Sequence, residues 1–167
     1  KFVVDKSSAI LSLPIVLNIA LILLILNPFY NPGPLFYTQE RMGMGGKRFK
    51  MWKFRSMTVV YEAARHVDAP VETHRITPLC QLLRKYRIDE LPTFFNVLSG
   101  DMSLVGPRPD AWDHSKHYVA AVLHYSDRFR VRPGITGLAQ VYSGYADTAR
   151  LVRRKAYLDQ FYVRKSR

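Results

Sequence analysis

The sequence has little that could staple it from within. A single cysteine, Cys80, in 167 residues excludes an internal disulfide and fits a reducing compartment. Cys80 falls in the apolar stretch of Leu79, Leu82 and Leu83, where a small buried residue is the expected role. There is no internal repeat and no low-complexity segment. No small-residue cleavage site follows the apolar N-terminal run, which excludes a removable signal sequence. The glycines of Met42-Gly43-Met44-Gly45-Gly46 are not a dinucleotide fingerprint, because Arg48 stands where a third glycine is needed and no helix pattern follows. His66, His74 and His124 show no ligand or triad pattern, and no helix-turn-helix, zinc or RNA-binding signature occurs. Acidic residues are scarce: 13 Asp plus Glu against 25 Lys plus Arg, a formal charge of +12.

That excess speaks of partners rather than fold. Nucleic acid, an anionic membrane surface or a phosphate-rich substrate would each suit it. One basic set runs from Arg41 through Lys47, Arg48, Lys50 and Lys53 to Arg55, with only Glu40 beside it. A second gathers near the end at Arg150, Arg153, Arg154, Lys155, Arg164, Lys165 and Arg167. Ahead of both lies an apolar run, Ala9 to Leu26, interrupted by Ser12, Pro14 and Asn18. As a straight helix it measures roughly 27 Å, just short of a hydrocarbon core of about 30 Å. Pro14 removes a backbone donor and should kink it. Lys1 and Lys6 before the run and the basic block after it place positive charge at both ends, which favours the same cytoplasmic side for both. The expectation is a re-entrant helix over residues 1–30 that enters one leaflet, bends at Ser12–Pro14 and returns, with Asn18 satisfying freed backbone groups. A single-pass anchor and a buried core helix are the competing readings.

Residues 31–167 read as one α+β unit, mostly helical. Asn31-Pro32-Gly33-Pro34 is a hard turn. Leu35 to Gln39 and Phe49 to Phe54 form a small β-hairpin with a Gly-rich tip, Phe49, Met51 and Lys53 on one face and Lys50, Trp52 and Phe54 on the other. Glu62 to Arg75 is a loop or loose helix. Thr77-Pro78 starts a helix with Leu79, Leu82, Leu83 and Tyr86 on its apolar face. A second begins at Asp89, buries Leu91, Phe94, Phe95 and Leu98, and ends at Gly100. Gly106-Pro107-Arg108-Pro109 is a rigid extended loop, and Asp110 caps the helix that follows to about Tyr125. Arg132-Pro133-Gly134 opens another loop before Ile135 to Tyr142. Asp147 caps a final helix through Val163, apolar at Leu151, Leu158, Phe161 and Tyr162 and basic opposite, a pattern that suits an interfacial amphipathic helix on a membrane.

The chemistry is expected around Arg87-Ile88-Asp89-Glu90-Leu91-Pro92. Two adjacent carboxylates stand at a helix start beside Arg84, Lys85 and Arg87, and both the dipole and the cations favour ionisation. An ionised Asp can attack phosphorus or ligate magnesium; the bland alternative is a helix cap with a first-turn acid. The prolines around Arg108 lower the entropy cost of presenting it to a phosphate. Lys53, Arg55, Arg87 and Arg132 are the further phosphate-binding candidates.

At this point the sequence resembles the bacterial sugar transferase family, the monotopic phosphoglycosyl transferases. The matching blocks run in order: Pro32-Gly33-Pro34; Arg41-x-Gly43-x-x-Gly46; Lys53-Phe54-Arg55-Ser56-Met57; Asp89-Glu90-Leu91-Pro92; Asn96 to Pro109; Arg132 to Val141; and Tyr157 to Tyr162. The resemblance implies a re-entrant N-terminal membrane helix, Mg2+ at Asp89 and Glu90, and transfer of a sugar 1-phosphate from a UDP-sugar to undecaprenyl phosphate with release of UMP. It implies that Asp89 is the nucleophile, forming an aspartyl-phosphosugar intermediate, and that Glu90 is a metal ligand or an acceptor-positioning base. It further implies the cytoplasmic leaflet of the bacterial inner membrane, with the catalytic domain facing the cytoplasm. Thr93 departs from the Gln common after the Asp-Glu-Leu-Pro block, and Pro14 precedes the family's usual helix breaker. The chain is expected to be a minimal member or the catalytic core of a larger one.

Two rivals remain on the residues alone. Asp110, Asp113, His114 and His117 share one helix face at metal-binding spacing, but with no cysteine or further ligand near, a cap with surface residues is the favoured reading. A basic membrane-surface or nucleic-acid-binding protein without catalysis fits the charge, but the apolar run argues against a nucleic-acid partner.

Overall fold

A computed structural model describes residues 1–59, 72–144 and 148–166. The expected loop at Glu62 to Arg75 lies largely outside them, as do His66 and Asp147 entirely; within it Thr73–Arg75 forms one 310 turn. The chain is mostly helical. The order is α1 (Phe2–Tyr30), β1 (Phe36–Met42), β2 (Arg48–Phe54), α2 (Pro78–Lys85), α3 (Thr93–Ser99), β3 (Ser103–Val105), α4 (Trp112–Ala121), β4 (Gly134–Thr136), α5 (Leu138–Ser143) and α6 (Ala149–Lys165). Further 310 turns occupy Met44–Gly46, Ile88–Glu90 and Tyr125–Arg130.

α1 is a single helix that contains both Pro14 and Pro28, so Ser12–Pro14 is not a break in its secondary structure. Pro14 removes only its own donor, and nearby side chains serve the local carbonyls. Ser12 Oγ donates to Ala9 O at 2.7 Å, and Asn18 Nδ2 to Pro14 O at 2.8 Å. One stripe of the helix, Asp5, Ala9, Val16, Ala20, Leu23 and Asn27, is buried. Its steps of three, four and seven residues keep one face against the body along the whole length. Most of the remaining surface is exposed and apolar, including Ile10, Leu11, Leu17, Leu21, Ile25 and Phe29. Over its most apolar window the helix has a mean hydropathy of 2.8, long and apolar enough by composition to cross a membrane.

β1 and β2 pair antiparallel, Phe36 opposite Phe54 and Met42 opposite Arg48. Phe54 is buried, although alternation puts it on the same face as Lys50 and Trp52, which are exposed, because α1 reaches over that end of the hairpin: Val16, Ala20 and Leu23 pack on Phe54 and Leu83, with Phe36 stacked on Phe54. Met51 joins Ala9, Val97 and Met102 in a second cluster. Asn96 of α3 joins the hairpin by its amide: Oδ1 accepts from Trp52 N at 2.9 Å and Nδ2 donates to Lys50 O at 2.8 Å.

Several expected faces turn. Thr77 caps α2 as read, and Cys80 and Leu83 are its buried residues, while Leu82 and Tyr86 are exposed. α3 starts at Thr93, not Asp89, since Pro92 occupies its cap and the dyad sits in a separate 310 turn. It buries Thr93, Asn96 and Val97, leaving Leu91, Phe94, Phe95 and Leu98 half-buried, and Gly100 closes it with φ 92°. α6 is capped by Thr148 and buries Val152, Ala156, Asp159 and Val163, whereas Phe161 and Tyr157 face outward. β3 and β4, unread in the sequence, pair in parallel.

Candidate active site

Four elements converge on the dyad. Arg87 adopts left-handed backbone, φ 57°, which a non-glycine residue holds only under constraint. That bend ends α2 and turns Ile88–Glu90 into the body, so Asp89 and Glu90 are both buried. Lys53, on the inner face of β2, places Nζ 2.9 Å from Glu90 Oε1. Arg108 grips Glu90 with both terminal nitrogens: Nη1 donates to Oε2 at 3.0 Å, and Nη2 donates to Oε1. Arg87 Nη1 stands 3.5 Å from the same carboxylate on the solvent side.

The loop carrying Arg108 is set by backbone packing. Gly106 N donates to Thr136 O, and Gly134 N to Pro107 O, both at 2.9 Å. A Cβ on Gly106 would fall 2.5 Å from Arg132 O, and one on Gly134 2.1 Å from Gly106 N. Only glycine permits these two Pro-flanked loops to cross so closely.

The two carboxylates differ electrically. Burial opposes ionisation of Glu90, yet hydrogen bonds from Arg108 and the charge of Lys53 prevail and bring its pKa to about 2. At Asp89 burial prevails and raises the pKa, with Lys53, Arg84 and a weak Ser56 contact only partly offsetting it. The expectation that a helix start and local cations favour the charged form is therefore corrected: α3 begins later, and the nearest strong cations belong to Glu90. Asp89 Oδ2 has Ser56 Oγ at 3.4 Å, and Asp89 Oδ1 is buried with no hydrogen-bond partner. Burial likewise lowers the pKa of Lys53 against the opposing pull of Glu90.

Of the sequence candidates, Lys53, Arg87 and Arg108 come together with Asp89 and Glu90. Arg55 does not join them. It is buried, with Nε on Pro34 O at 2.7 Å and Nη1 on Asn31 Oδ1 at 2.7 Å and Met57 O at 3.2 Å. Nη2 donates to Asn31 O. The guanidinium ties the end of α1 to the hairpin rather than facing a phosphate. Arg132 lies over the Phe2 ring, 5.9 Å from its centroid. Asp110 is not a cap: α4 begins after Ala111, and the Asp110 carboxylate takes Arg128 and Lys155 instead. Asp113 pairs with Lys116 at 3.6 Å, and among the described residues no three His, Cys, Asp or Glu side chains converge as a metal site.

Sequence reasoning did not assign Arg41, Ser56 or Arg128 to the site. Arg41 and Ser56 lie inside two quoted blocks, which was signal enough; Arg128 carried none. Arg41 is half-buried with Nη1 on Pro109 O at 2.9 Å and Nε buried without a partner. Beside Glu90 opens a cleft of about 370 Å³, walled by Tyr86, Arg87, Leu91, Phe94, Ile135 and Gln140. A cationic clamp, a buried carboxylate with an unmatched oxygen and an adjoining cleft are the parts that phosphoryl chemistry uses.

The profile of a family described as bacterial sugar transferase matches residues 1–167. A UDP-glucose:undecaprenyl-phosphate glucose-1-phosphate transferase of Klebsiella pneumoniae is 44% identical over 134 residues, covering 79% of this chain and 29% of that protein. A protein of the same name in Xanthomonas campestris pv. campestris is 39% identical over 164 residues, 96% of this chain and 34% of its own length. A UDP-N-acetylgalactosamine-undecaprenyl-phosphate N-acetylgalactosaminephosphotransferase of Aeromonas hydrophila is 39% identical over 160 residues, covering 96% and 38%. The chain thus spans about a third of the length of these curated relatives.

Proposed function

Because the chain belongs to the bacterial sugar transferase family, we propose that it carries the transfer chemistry itself: a sugar 1-phosphate moves from a UDP-sugar to undecaprenyl phosphate, and UMP is released. Two of these relatives are named for glucose and one for N-acetylgalactosamine, so the proposal is for the UDP-sugar class. The observation that carries it is Asp89, buried with Oδ1 unmatched next to a carboxylate clamped by Lys53 and Arg108. A desolvated carboxylate without a partner is costly until a cation or an electrophile takes its charge. The Asp89 carboxylate attacks the sugar-linked phosphorus, the bond to the UMP oxygen breaks, and an aspartyl-phosphosugar forms. An oxygen of the polyprenyl phosphate then attacks that phosphorus and returns Asp89 as carboxylate. Arg87, half-exposed at the cleft, meets the diphosphate, while Lys53 and Arg108 hold Glu90 in place and add positive field at the reacting phosphorus.

Magnesium fits this site at Asp89. Oδ1 is available to an ion, and one or two carboxylates with substrate phosphates and water are the usual magnesium holders. Glu90 has both oxygens on cations and joins the ion only by releasing one. When bound, magnesium neutralises charge spread over the phosphoryl oxygens.

The same reading puts α1 in the cytoplasmic leaflet of the bacterial inner membrane with the catalytic unit facing the cytoplasm. It is supported by the exposed apolar surface and by attachments at both helix ends. Lys1 Nζ donates to Tyr162 Oη at 2.8 Å, and Asp5 accepts from Ser103 Oγ at 2.8 Å and Leu104 N at 3.1 Å. At the other end Asn31 is held by Arg55. A non-catalytic basic binder gains no support, since Lys53, Arg108 and Arg128 are turned inward onto carboxylates.

The test is UMP release in detergent with undecaprenyl phosphate and a panel of UDP-sugars, alongside label transfer from donor to polypeptide. Wild type should turn over and trap label; Asp89→Asn should lose both by at least about 1,000-fold. Turnover retained in Asp89→Asn would refute the assignment.

A further inference from the structure

Arg108 is gripped at its side chain by Glu90 and at its backbone by a residue no motif marked. Arg128 is 3% exposed and follows α4 in the Tyr125–Arg130 turn. Its Nη2 donates to the carbonyl of Arg108. Its Nη1 donates to Asp110 Oδ2 at 2.5 Å and to Tyr125 Oη at 2.6 Å. Asp159 Oδ2 lies 3.1 Å from Nη2. Lys155 Nζ donates to Asp110 Oδ1 at 2.6 Å and Oδ2 at 2.7 Å. Lys155 and Asp159 both belong to α6. From the other side Arg41 donates to the next carbonyl, Pro109 O. Apolar residues would fill such a space at lower cost than these four charges, two of them buried and two half-buried. The directional element of this network is its bond to the Arg108 backbone.

We propose that Arg128 is a positioning residue for the transfer reaction: by holding the Arg108 carbonyl it aims the Arg108 guanidinium at Glu90, and α6 keeps Arg128 in place through Asp159 and the Asp110–Lys155 pair. Arg128 reaches neither of the dyad carboxylates in this arrangement. The inference rests on the transferase reading and extends it, because it makes the closing helix part of the geometry of the dyad.

A lysine at 128 keeps the charge facing Asp110 but lacks the fork that reaches the Arg108 carbonyl at the same time. The full chain in detergent is therefore compared as wild type, Arg128→Lys, Arg108→Ala and the double variant. The readings are kcat and KM for UMP release, Tm, and amide hydrogen exchange over residues 106–110. Expected in Arg128→Lys is a kcat loss of about 10- to 100-fold, from displacement of a catalytic contact. KM for the donor should stay within about twofold and Tm near wild type, with faster exchange at 106–110. In the Arg108→Ala background the same substitution should add no further loss of kcat, because the group it positions is already gone. Wild-type kcat in Arg128→Lys, or losses that multiply in the double variant, overturns the proposal. A wild-type chain with no turnover brings down the transferase reading instead. The claim that Arg128 holds the loop then stands on faster exchange in Arg128→Lys and falls if exchange is unchanged.

Discussion

Asp89 and Glu90 are adjacent and both buried, but their surroundings pull them apart. Glu90 has a pKa of about 2 against an ordinary 4.5, a difference worth about 3 kcal/mol. A depressed carboxylate contributes stability that is present above its unfolded pKa and lost as pH falls through its folded one. Glu90→Gln should thus lower Tm at pH 7, and the gap from wild type should close between pH 4.5 and about 2. Thermal melts across that range check it; a gap independent of pH would mean that the cations do not hold Glu90 ionised. The pairing was only half legible in the sequence. The dyad stood out, but its partners did not, because Lys53 and Arg108 are 37 and 18 residues from Glu90 along the chain. The cations close in sequence, at 84, 85 and 87, suggest an ionised Asp89, yet burial there outweighs the lowering pull of Lys53 and Arg84.

Among the elements, the hairpin and most helix positions follow from alternation, caps and proline. Their faces and ends follow less well, because long-range packing sets them. α1 covers Phe54, and the three-residue strands β3 and β4 meet only through crossing glycine loops. Arg55 shows how this redirects a role. Its place in a basic strand suggested phosphate, yet α1 ends against it and Asn31 and Pro34 take its donors. Arg55→Gln would leave buried carbonyls unmatched, at a cost of about 3 kcal/mol. Tm should fall by about 6–12 °C, while the folded enzyme keeps its KM for the UDP-sugar. A KM rise of tenfold with unchanged Tm would restore the phosphate role.

At the scale of the molecule, the question is where α1 lies relative to a bilayer. As a 29-residue helix it is about 43 Å long, ample to cross. Its attachments argue otherwise. Lys1, Asp5 and Lys6 hold one end to Tyr162, Ser103, Leu104 and Leu98, and Asn31 ties the other to Arg55. Placing the ends on opposite sides would break these bonds and carry Asp5, which is buried and hydrogen-bonded, away from Ser103 and Leu104. Shallow insertion keeps every bond and still gives the exposed Leu and Ile side chains to acyl chains. Lys1→Cys and Lys47→Cys variants can decide between them, since both positions are exposed and the native Cys80 is fully buried and silent to an impermeant thiol reagent. In right-side-out spheroplasts neither position should label; in inverted vesicles both should. Labelling of Lys1→Cys alone in spheroplasts would show a crossing helix, and the attachments described for the first turns of α1 could not then persist in the membrane.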